Sequence, residues 1–297
     1  MTFESLLKRH ASDIAIVLGN GINRYNSAST KNSWVDLLNV LAKRHTVTPH
    51  IDIPQGISLT EFYDILDLSL EDSLPSTTLQ QEFCDLLATW KPNIHHHKIV
   101  HWAREHKVPI LTTNFDETLS TAAQCNLHFA QRDAFTDYYP WNAYFSDAQL
   151  SDPTAAFAVW HINGMAHYQR SLRLGLTHYM GSVERARRLI HRSKEHSLFS
   201  GKDVRNWKGA NTWLHIVFNK PLLIVGLGLE ESEVFLRWLL IERARYFRKY
   251  PDRRKKAWFF FVDDKRNVGK LHFLKGVGIE PIRVSKYSEL YETNSWS

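Results

Sequence analysis

Val-Pro-Ile-Leu-Thr-Thr-Asn-Phe-Asp, from Val108 to Asp116, is the stretch that decides the fold of this chain. An apolar run typical of a buried strand ends there abruptly in hydroxyl, amide and carboxylate side chains. Val-Trp-His-Ile-Asn-Gly-Met, from Val159 to Met165, repeats the arrangement. Ligands of parallel α/β sheets bind beyond the carboxyl ends of the strands. The two stretches therefore predict a binding cleft at one edge of a sheet.

Apolar runs alternate with helical patterns along the chain. This alternation is typical of a parallel sheet covered on both faces. The predicted strands are Ile14–Leu18, Val108–Leu111, Ala155–Ile162, Leu222–Val225, Trp258–Val262 and Ile279–Val284, with an aromatic-rich loop around Tyr138–Trp141 before the third. The predicted fold class is α/β, a Rossmann-like parallel sheet flanked by helices. We expect one domain over 1–297, with a helical insert or side module at about 45–106 and a helical segment at about 180–218.

Composition restricts the class of protein. The 43% hydrophobic and 23% charged content is ordinary for a globular chain, and no apolar run approaches the ~18–20 residues of a membrane span. The first residues predict an amphipathic helix and not a signal peptide. Cys84 and Cys125 form no CxxC pair, which excludes a zinc ribbon and favours a reducing, cytoplasmic compartment.

The chain carries a net charge of +6, from 37 Lys and Arg against 31 Asp and Glu. The excess is clustered at Arg185–Arg188 and from Arg243 to Lys256. Two interpretations stay open for these clusters. They are solvated helix faces and a loop, or they form a surface for nucleic acid or a rim that attracts an anionic dinucleotide.

Glycine loops follow two of the predicted strands. Gly-Asn-Gly-Ile-Asn-Arg, from Gly19 to Arg24, lets the backbone approach a pyrophosphate, although it lacks the third glycine of GxGxxG. A plain strand-to-helix turn would use the same residues. Arg24 can pair with a phosphate. Gly226-Leu-Gly228 follows a later strand.

The polar residues after the strands also have two interpretations. Thr113 or Asn114 can cap a helix, or Asn114 can hold a water or a ribose hydroxyl, with Asp116 as an acceptor. His161 can be a general base that titrates near neutrality, or a hydrogen-bonded core histidine.

The ordered motifs resemble the sirtuin (Sir2-like) superfamily over about residues 14–285. Gly19–Gly21 resembles its Gly-Ala-Gly loop, and Thr113–Asp116 its Gln-Asn-Ile-Asp motif. His161–Gly164 resembles its His-Gly motif, and Gly226–Gly228 its Gly-Thr-Ser loop. The chain cannot build the four-cysteine zinc module of the family's protein deacylases. It is therefore similar to the bacterial branch that hydrolyses NAD⁺ in antiphage defence.

The resemblance implies an NAD⁺ glycohydrolase, a cytoplasmic, NAD-depleting antiphage effector that releases nicotinamide and ADP-ribose without a metal. It also implies a homo-oligomer that stays silent until a partner in trans, such as an ATPase or a nucleic-acid-guided protein, activates it. Asn114 and His161 would be catalytic, with Asn114 positioning water or ribose and His161 acting as base. The residues implied to bind NAD⁺ are Gly19, Asn20, Gly21, Asn23, Arg24, Thr113, Asp116, Asn163, Gly226, Leu227, Gly228 and Asp263.

One departure from the family leaves the chemistry open. Asn163 stands directly before the glycine, where the family has its catalytic histidine, and His161 lies two residues earlier. If the strand continues to Asn163, both side chains face the cleft and His161 can act. Otherwise Asn163 takes the histidine's place, and the protein is a sensor or assembly module that binds NAD⁺ or ADP-ribose with little catalysis.

Overall fold

The computed structural model describes residues 1–26, 32–45, 53–70, 75, 78–130, 139–192, 194–262 and 267–296. Within them, eight strands form one mixed, mostly parallel sheet in the order β3-β4-β5-β2-β1-β6-β7-β8. The strands are β1 (Ala15–Leu18), β2 (Ile110–Thr112), β3 (Asn126–Phe129), β4 (Ala143–Ser146), β5 (Val159–His161), β6 (Leu222–Val225), β7 (Ala257–Val262) and β8 (Glu280–Val284).

The predicted α/β class is confirmed, and six strands, from β5 to β8 in the sheet order, run parallel. The prediction of a wholly parallel sheet is wrong at one side. There β4 pairs antiparallel with β5, and β3 pairs antiparallel with β4. The third predicted strand also begins later than expected, at Val159 instead of Ala155.

Alternating residues of the central strands face two separate hydrophobic cores. In β1, Ala15 and Val17 belong to one core, and Ile16 and Leu18 belong to the other. All four residues are buried, because helices cover both faces of the sheet. This explains why the central strands are continuous apolar runs.

Twelve α-helices surround the sheet in the described part of the chain. They are α1 (Phe3–His10), α2 (Gly21–Arg24), α3 (Trp34–His45), α4 (Leu59–Leu68), α5 (Thr78–Leu87), α6 (Ile94–Glu105), α7 (Thr118–Ala123), α8 (Leu176–Arg187), α9 (Trp213–Asn219), α10 (Val234–Lys249), α11 (Val268–Gly276) and α12 (Ser288–Tyr291). The predicted insert contains α4 to α6, and a π-helical turn extends α8 to Arg192. None of the described helices is long and apolar enough to cross a membrane.

Helices α3, α4 and α5 share a third hydrophobic core. Phe115, from the loop after β2, and Leu172 and Leu174, from the chain before α8, complete that core. The helical insert is therefore packed directly onto the loops at the ends of the strands.

Candidate functional site

A cavity of about 880 Å³ lies at the carboxyl ends of the parallel strands. Its wall comes from the segments that follow β1, β2, β5 and β6, and from the end of β7. The strand order reverses between β1 and β6, and open α/β sheets bind ligands at such a position. The volume lies within the range of roughly 300–1,000 Å³ typical of small-molecule and cofactor sites.

Most of the predicted site residues line this cavity. Those that do so are Asn20, Gly21, Arg24, Thr113, Asn114, Asp116, Asn163, Gly226, Leu227 and Gly228. Gly19, Asn23 and His161 are not among the lining residues. Asp263 lies outside the described residues.

The two glycine loops pack against each other at the base of the cavity. The Gly21 amide donates a hydrogen bond of 2.7 Å to the Gly226 carbonyl. A Cβ atom on Gly19 would lie 2.6 Å from the same oxygen, and Gly226 has a φ of +65°. These positions therefore need glycine for close contact between the loops, whatever the cavity binds.

The Asp116 carboxylate connects the loop after β2 to the loop after β1. Its Oδ2 accepts a hydrogen bond of 2.9 Å from Asn23 Nδ2, and its Oδ1 accepts from the Thr118 amide and hydroxyl. Asn23 Oδ1 in turn accepts from His96 Nε2 at 2.9 Å. Asn23 is thus fully occupied by protein partners, and Asp116 fixes the two loops relative to each other.

His96 belongs to the run of three histidines at the start of α6. Burial lowers its pKa to about 3, so its ring is neutral at physiological pH. His95 Nδ1 lies 3.0 Å from the Tyr291 carbonyl oxygen. Among the described residues, no group of three or more His, Cys, Asp or Glu side chains is arranged to hold a metal ion. His95 and His96 thus contact protein groups.

His161 supports the backbone of Asn114. Its Nδ1 lies 2.9 Å from the Asn114 carbonyl oxygen, and its ring packs edge-on against Phe145. The side chain is buried, and burial lowers its pKa. Strand β5 ends at His161, so the alternation that would bring His161 and Asn163 to one face does not extend to Asn163.

Two asparagine side chains reach the cavity with unsatisfied polar atoms. Asn114 Nδ2 and Asn163 Oδ1 are both buried, and neither has a hydrogen-bond partner. Asn163 Nδ2 donates weakly to the Thr113 carbonyl at 3.4 Å, and the Asn163 carbonyl accepts from the Arg173 amide at 3.0 Å. A buried polar group without a hydrogen-bond partner destabilises the fold, so its presence needs an explanation. Contact with a ligand in the cavity would supply the missing partners.

Glu233, which no sequence motif indicated, lines the cavity directly before α10. Its Oε2 is buried and has no hydrogen-bond partner. Burial raises the pKa of Glu233 to about 7, with the Glu230 charge adding to the rise and the Asn163 amide opposing it. The buried Tyr179 hydroxyl, also in the wall, lacks a partner too. In the sequence, the only signal for Glu233 is its position shortly after the Gly226–Gly228 loop. That signal is weak, because an acidic residue before a helix usually complements the positive end of the helix.

The mouth of the cavity combines charged groups with an aromatic wall. Arg24 is exposed there, and no described carboxylate pairs with it. Lys270 pairs with Glu230 at 2.7 Å. The aromatic wall contains Trp34, Phe83 and Phe115, whose rings meet edge to face. Among the described residues, the mouth therefore offers Arg24 as an unpaired cation beside flat apolar surfaces.

None of the residues in the two predicted basic clusters lines this cavity. Arg243 is 2% exposed, and its guanidinium donates to the carbonyl oxygens of Val217, Lys220, Lys255 and Lys256. Burial lowers the pKa of Arg243 to about 9. Part of the second cluster thus stabilises the fold, while Arg245, Arg248 and Arg254 are exposed.

No protein-family profile matches the chain, and no curated protein matches its sequence. The resemblance to sirtuins therefore depends on the motifs and on where the fold places them.

Proposed function

We propose that the chain binds NAD⁺ in this cavity and cleaves the nicotinamide–ribose bond, releasing nicotinamide and ADP-ribose. The observation that carries the proposal is the convergence of four sirtuin-like segments, distant in sequence, on one cavity at the strand ends. The six parallel strands, numbered along the chain, lie in the order 3-2-1-4-5-6. That is the order of the dinucleotide-binding Rossmann fold, and it supports the finer, Rossmann-like assignment.

The chemical groups of the cavity match the parts of NAD⁺. Arg24 at the mouth suits the pyrophosphate, and the aromatic wall suits a flat heterocycle. The unpartnered Asn114 Nδ2 and Asn163 Oδ1 suit ribose hydroxyls or the attacking water. In the reaction the water oxygen bonds to ribose C1′, the C1′–N bond breaks, and its electron pair goes to the nicotinamide nitrogen.

One observation favours a second candidate function. His161 is not a lining residue, and Asn163 is. A site without the family's histidine can bind NAD⁺ or ADP-ribose as a sensor or assembly module with little turnover. The two candidates differ in whether another residue supplies the base.

Nicotinamide release from NAD⁺ by the purified protein tests the proposal. We expect turnover by the wild type, and a loss of roughly 10²–10³-fold in Asn114→Ala if this amide stabilises the transition state. Asn206→Ala is the matched control, because Asn206 is exposed and outside the cavity. Calorimetry with ADP-ribose separates the candidates: binding without nicotinamide release supports the sensor, and absence of both overturns the assignment to NAD⁺.

The cellular role is proposed on the same resemblance. The protein would deplete NAD⁺ during phage infection, as a homo-oligomer activated in trans by an ATPase or a nucleic-acid-guided protein. Turnover is therefore measured for the isolated chain and for the chain in lysate from infected cells. Absence of turnover in both preparations would count against an effector.

A further inference from the structure

The proposed cleavage of NAD⁺ by water requires a proton acceptor in the cavity. Water that bonds to C1′ must lose a proton, and a base positioned for this transfer contributes about 10²–10⁴-fold to the rate. The family's histidine is replaced by Asn163, which cannot accept a proton at neutral pH. Another group of the cavity wall must therefore accept the proton.

His161 does not meet the geometric requirement. Its Nδ1 is occupied by the Asn114 carbonyl and its ring packs edge-on against Phe145, while its Nε2 is buried without a partner. It is also absent from the residues that line the cavity. Its role is to position Asn114.

Two carboxylates in the cavity wall have other partners. Asp116 accepts hydrogen bonds from Asn23 and Thr118 on both of its oxygens. Glu230 forms the ion pair with Lys270. Their oxygens are therefore used by the fold or by the rim.

Glu233 has a free oxygen in the cavity wall. Its Oε2 is buried without a partner, close to the Asn163 amide and the Tyr179 hydroxyl. The groups that act on it electrostatically come from three elements: Asn163 after β5, Tyr179 on α8 and Glu230 in its own loop. None of them is a cation that would hold Glu233 permanently ionised.

We propose that Glu233 is the general base of this cavity, and this assignment rests on the proposed cleavage of NAD⁺. The water oxygen bonds to C1′ and the departing nicotinamide takes the electrons of the C1′–N bond. The proton released by the water passes to Glu233 Oε2, and Asn163 holds the water through its free Oδ1. The free enzyme regains its carboxylate by losing that proton to solvent.

The pH dependence of turnover follows from the state of Glu233. The residue acts when it is ionised, and its pKa lies near 7. The rate should fall about tenfold per pH unit below 7 and level off above it. Steady-state kinetics between pH 5.5 and 9 measure this acidic limb of the pH–rate profile.

Glu233→Gln tests the assignment with little change in shape. We expect kcat to fall by roughly 10²–10⁴-fold, the limb near pH 7 to disappear, and ADP-ribose affinity to stay within a few-fold of wild type. Glu231→Gln is the matched control, because Glu231 is exposed in the same loop and does not line the cavity. It should keep both the rate and the pH profile.

His161→Ala provides the competing test. We expect this variant to turn over more slowly, because Asn114 loses its support, but to keep the fall in rate below pH 7. If that fall disappears in His161→Ala and persists in Glu233→Gln, the Glu233 assignment is overturned. If Glu233→Gln does not fold, Glu233→Asp and the wild-type profile decide, and a flat wild-type profile from pH 6 to 8 overturns it. Wild-type protein that releases no nicotinamide refutes the cleavage itself, whereas turnover unchanged in Glu233→Gln refutes only this inference.

Discussion

Gly164 shows how one residue fixes the shape of the cavity. It has a φ of +98°, and a Cβ there would lie 2.1 Å from the Ser171 carbonyl oxygen. Any side chain must therefore displace either this turn, which follows Asn163, or the backbone at Ser171 and Leu172. The glycine that the sequence shares with the His-Gly motif is a steric requirement of this turn.

We expect Gly164→Ala to lower the free energy of unfolding by at least about 2 kcal/mol, because it adds backbone strain to a backbone clash. Urea denaturation measures the change. Gly181→Ala is the control, since Gly181 is exposed in α8 with nothing within 4 Å of its added Cβ. Alanine should stabilise that helix position by about 0.5–1 kcal/mol. Equal stabilities of the two variants would contradict the steric explanation.

The roles of His161 and Asn163 could not be decided from the sequence. The pattern Val-Trp-His-Ile-Asn-Gly is compatible with a strand that ends at either residue. In the structure β5 ends at His161, and the chain turns at Gly164, which has a positive φ. Asn163 therefore lies between the strand and the turn. Strand ends depend on tertiary packing, which single-sequence patterns do not contain.

At the scale of elements, Phe115 couples the cavity to the helical insert. It belongs to the core of α3, α4 and α5, and it also lines the cavity. Its ring meets Phe83 of α5 at 5.7 Å. Displacement of the insert would therefore move the loop that carries Asn114.

We expect Phe115→Ala to destabilise the protein by about 3–5 kcal/mol and to weaken ADP-ribose binding. Phe62→Ala removes a ring from the same core without touching the cavity, so it should cost a similar free energy and leave affinity unchanged. Denaturation and calorimetry on both variants measure the two effects. Equal affinities of the two variants would show that Phe115 does not couple the insert to the site.

The central strands were predictable because each is a short apolar run buried on both faces. β3 and β4 were not, since four-residue strands such as Ala-Tyr-Phe-Ser carry too little periodicity, and no strand was predicted between Leu111 and Ala155. Most of the cavity wall followed from the rule that ligands bind at strand ends. Glu233 did not, because its significance depends on burial beside Asn163, which only the fold creates.

At the scale of the whole molecule, ligand binding and folding should be linked. The cavity wall draws on segments from Asn20 to Tyr291, so a ligand that fills it binds only the folded chain. We expect ADP-ribose at 100 times its dissociation constant to stabilise the protein by about 2.7 kcal/mol and to raise its Tm by roughly 5 °C. Calorimetric melting measures the shift, with inorganic phosphate as the control. An unchanged Tm would argue against ADP-ribose as a ligand.

Ion pairs with acidic side chains occupy part of the two basic clusters of the sequence. Glu184 pairs with Arg188 and Arg192, and Glu242 pairs with His191 and Arg245. A binding surface for nucleic acid or for a partner protein would have to be formed by basic groups outside these ion pairs. Direct nucleic-acid binding and oligomerisation stay predictions.

Tyr291, which lies late in the sequence, completes a cavity whose first lining residues are translated much earlier. Its hydroxyl lies where a Cβ on Gly21 or on Gly226 would come within 2.7 Å, so α12 closes the two loops that follow β1 and β6. Translation adds about 5–20 residues per second, and the first glycine loop leaves the ribosome long before α12 does. A nascent chain therefore cannot complete the cavity. A protein that destroys NAD⁺, as proposed, would therefore have an incomplete site until Tyr291 is in place, a stage that precedes the proposed activation in trans.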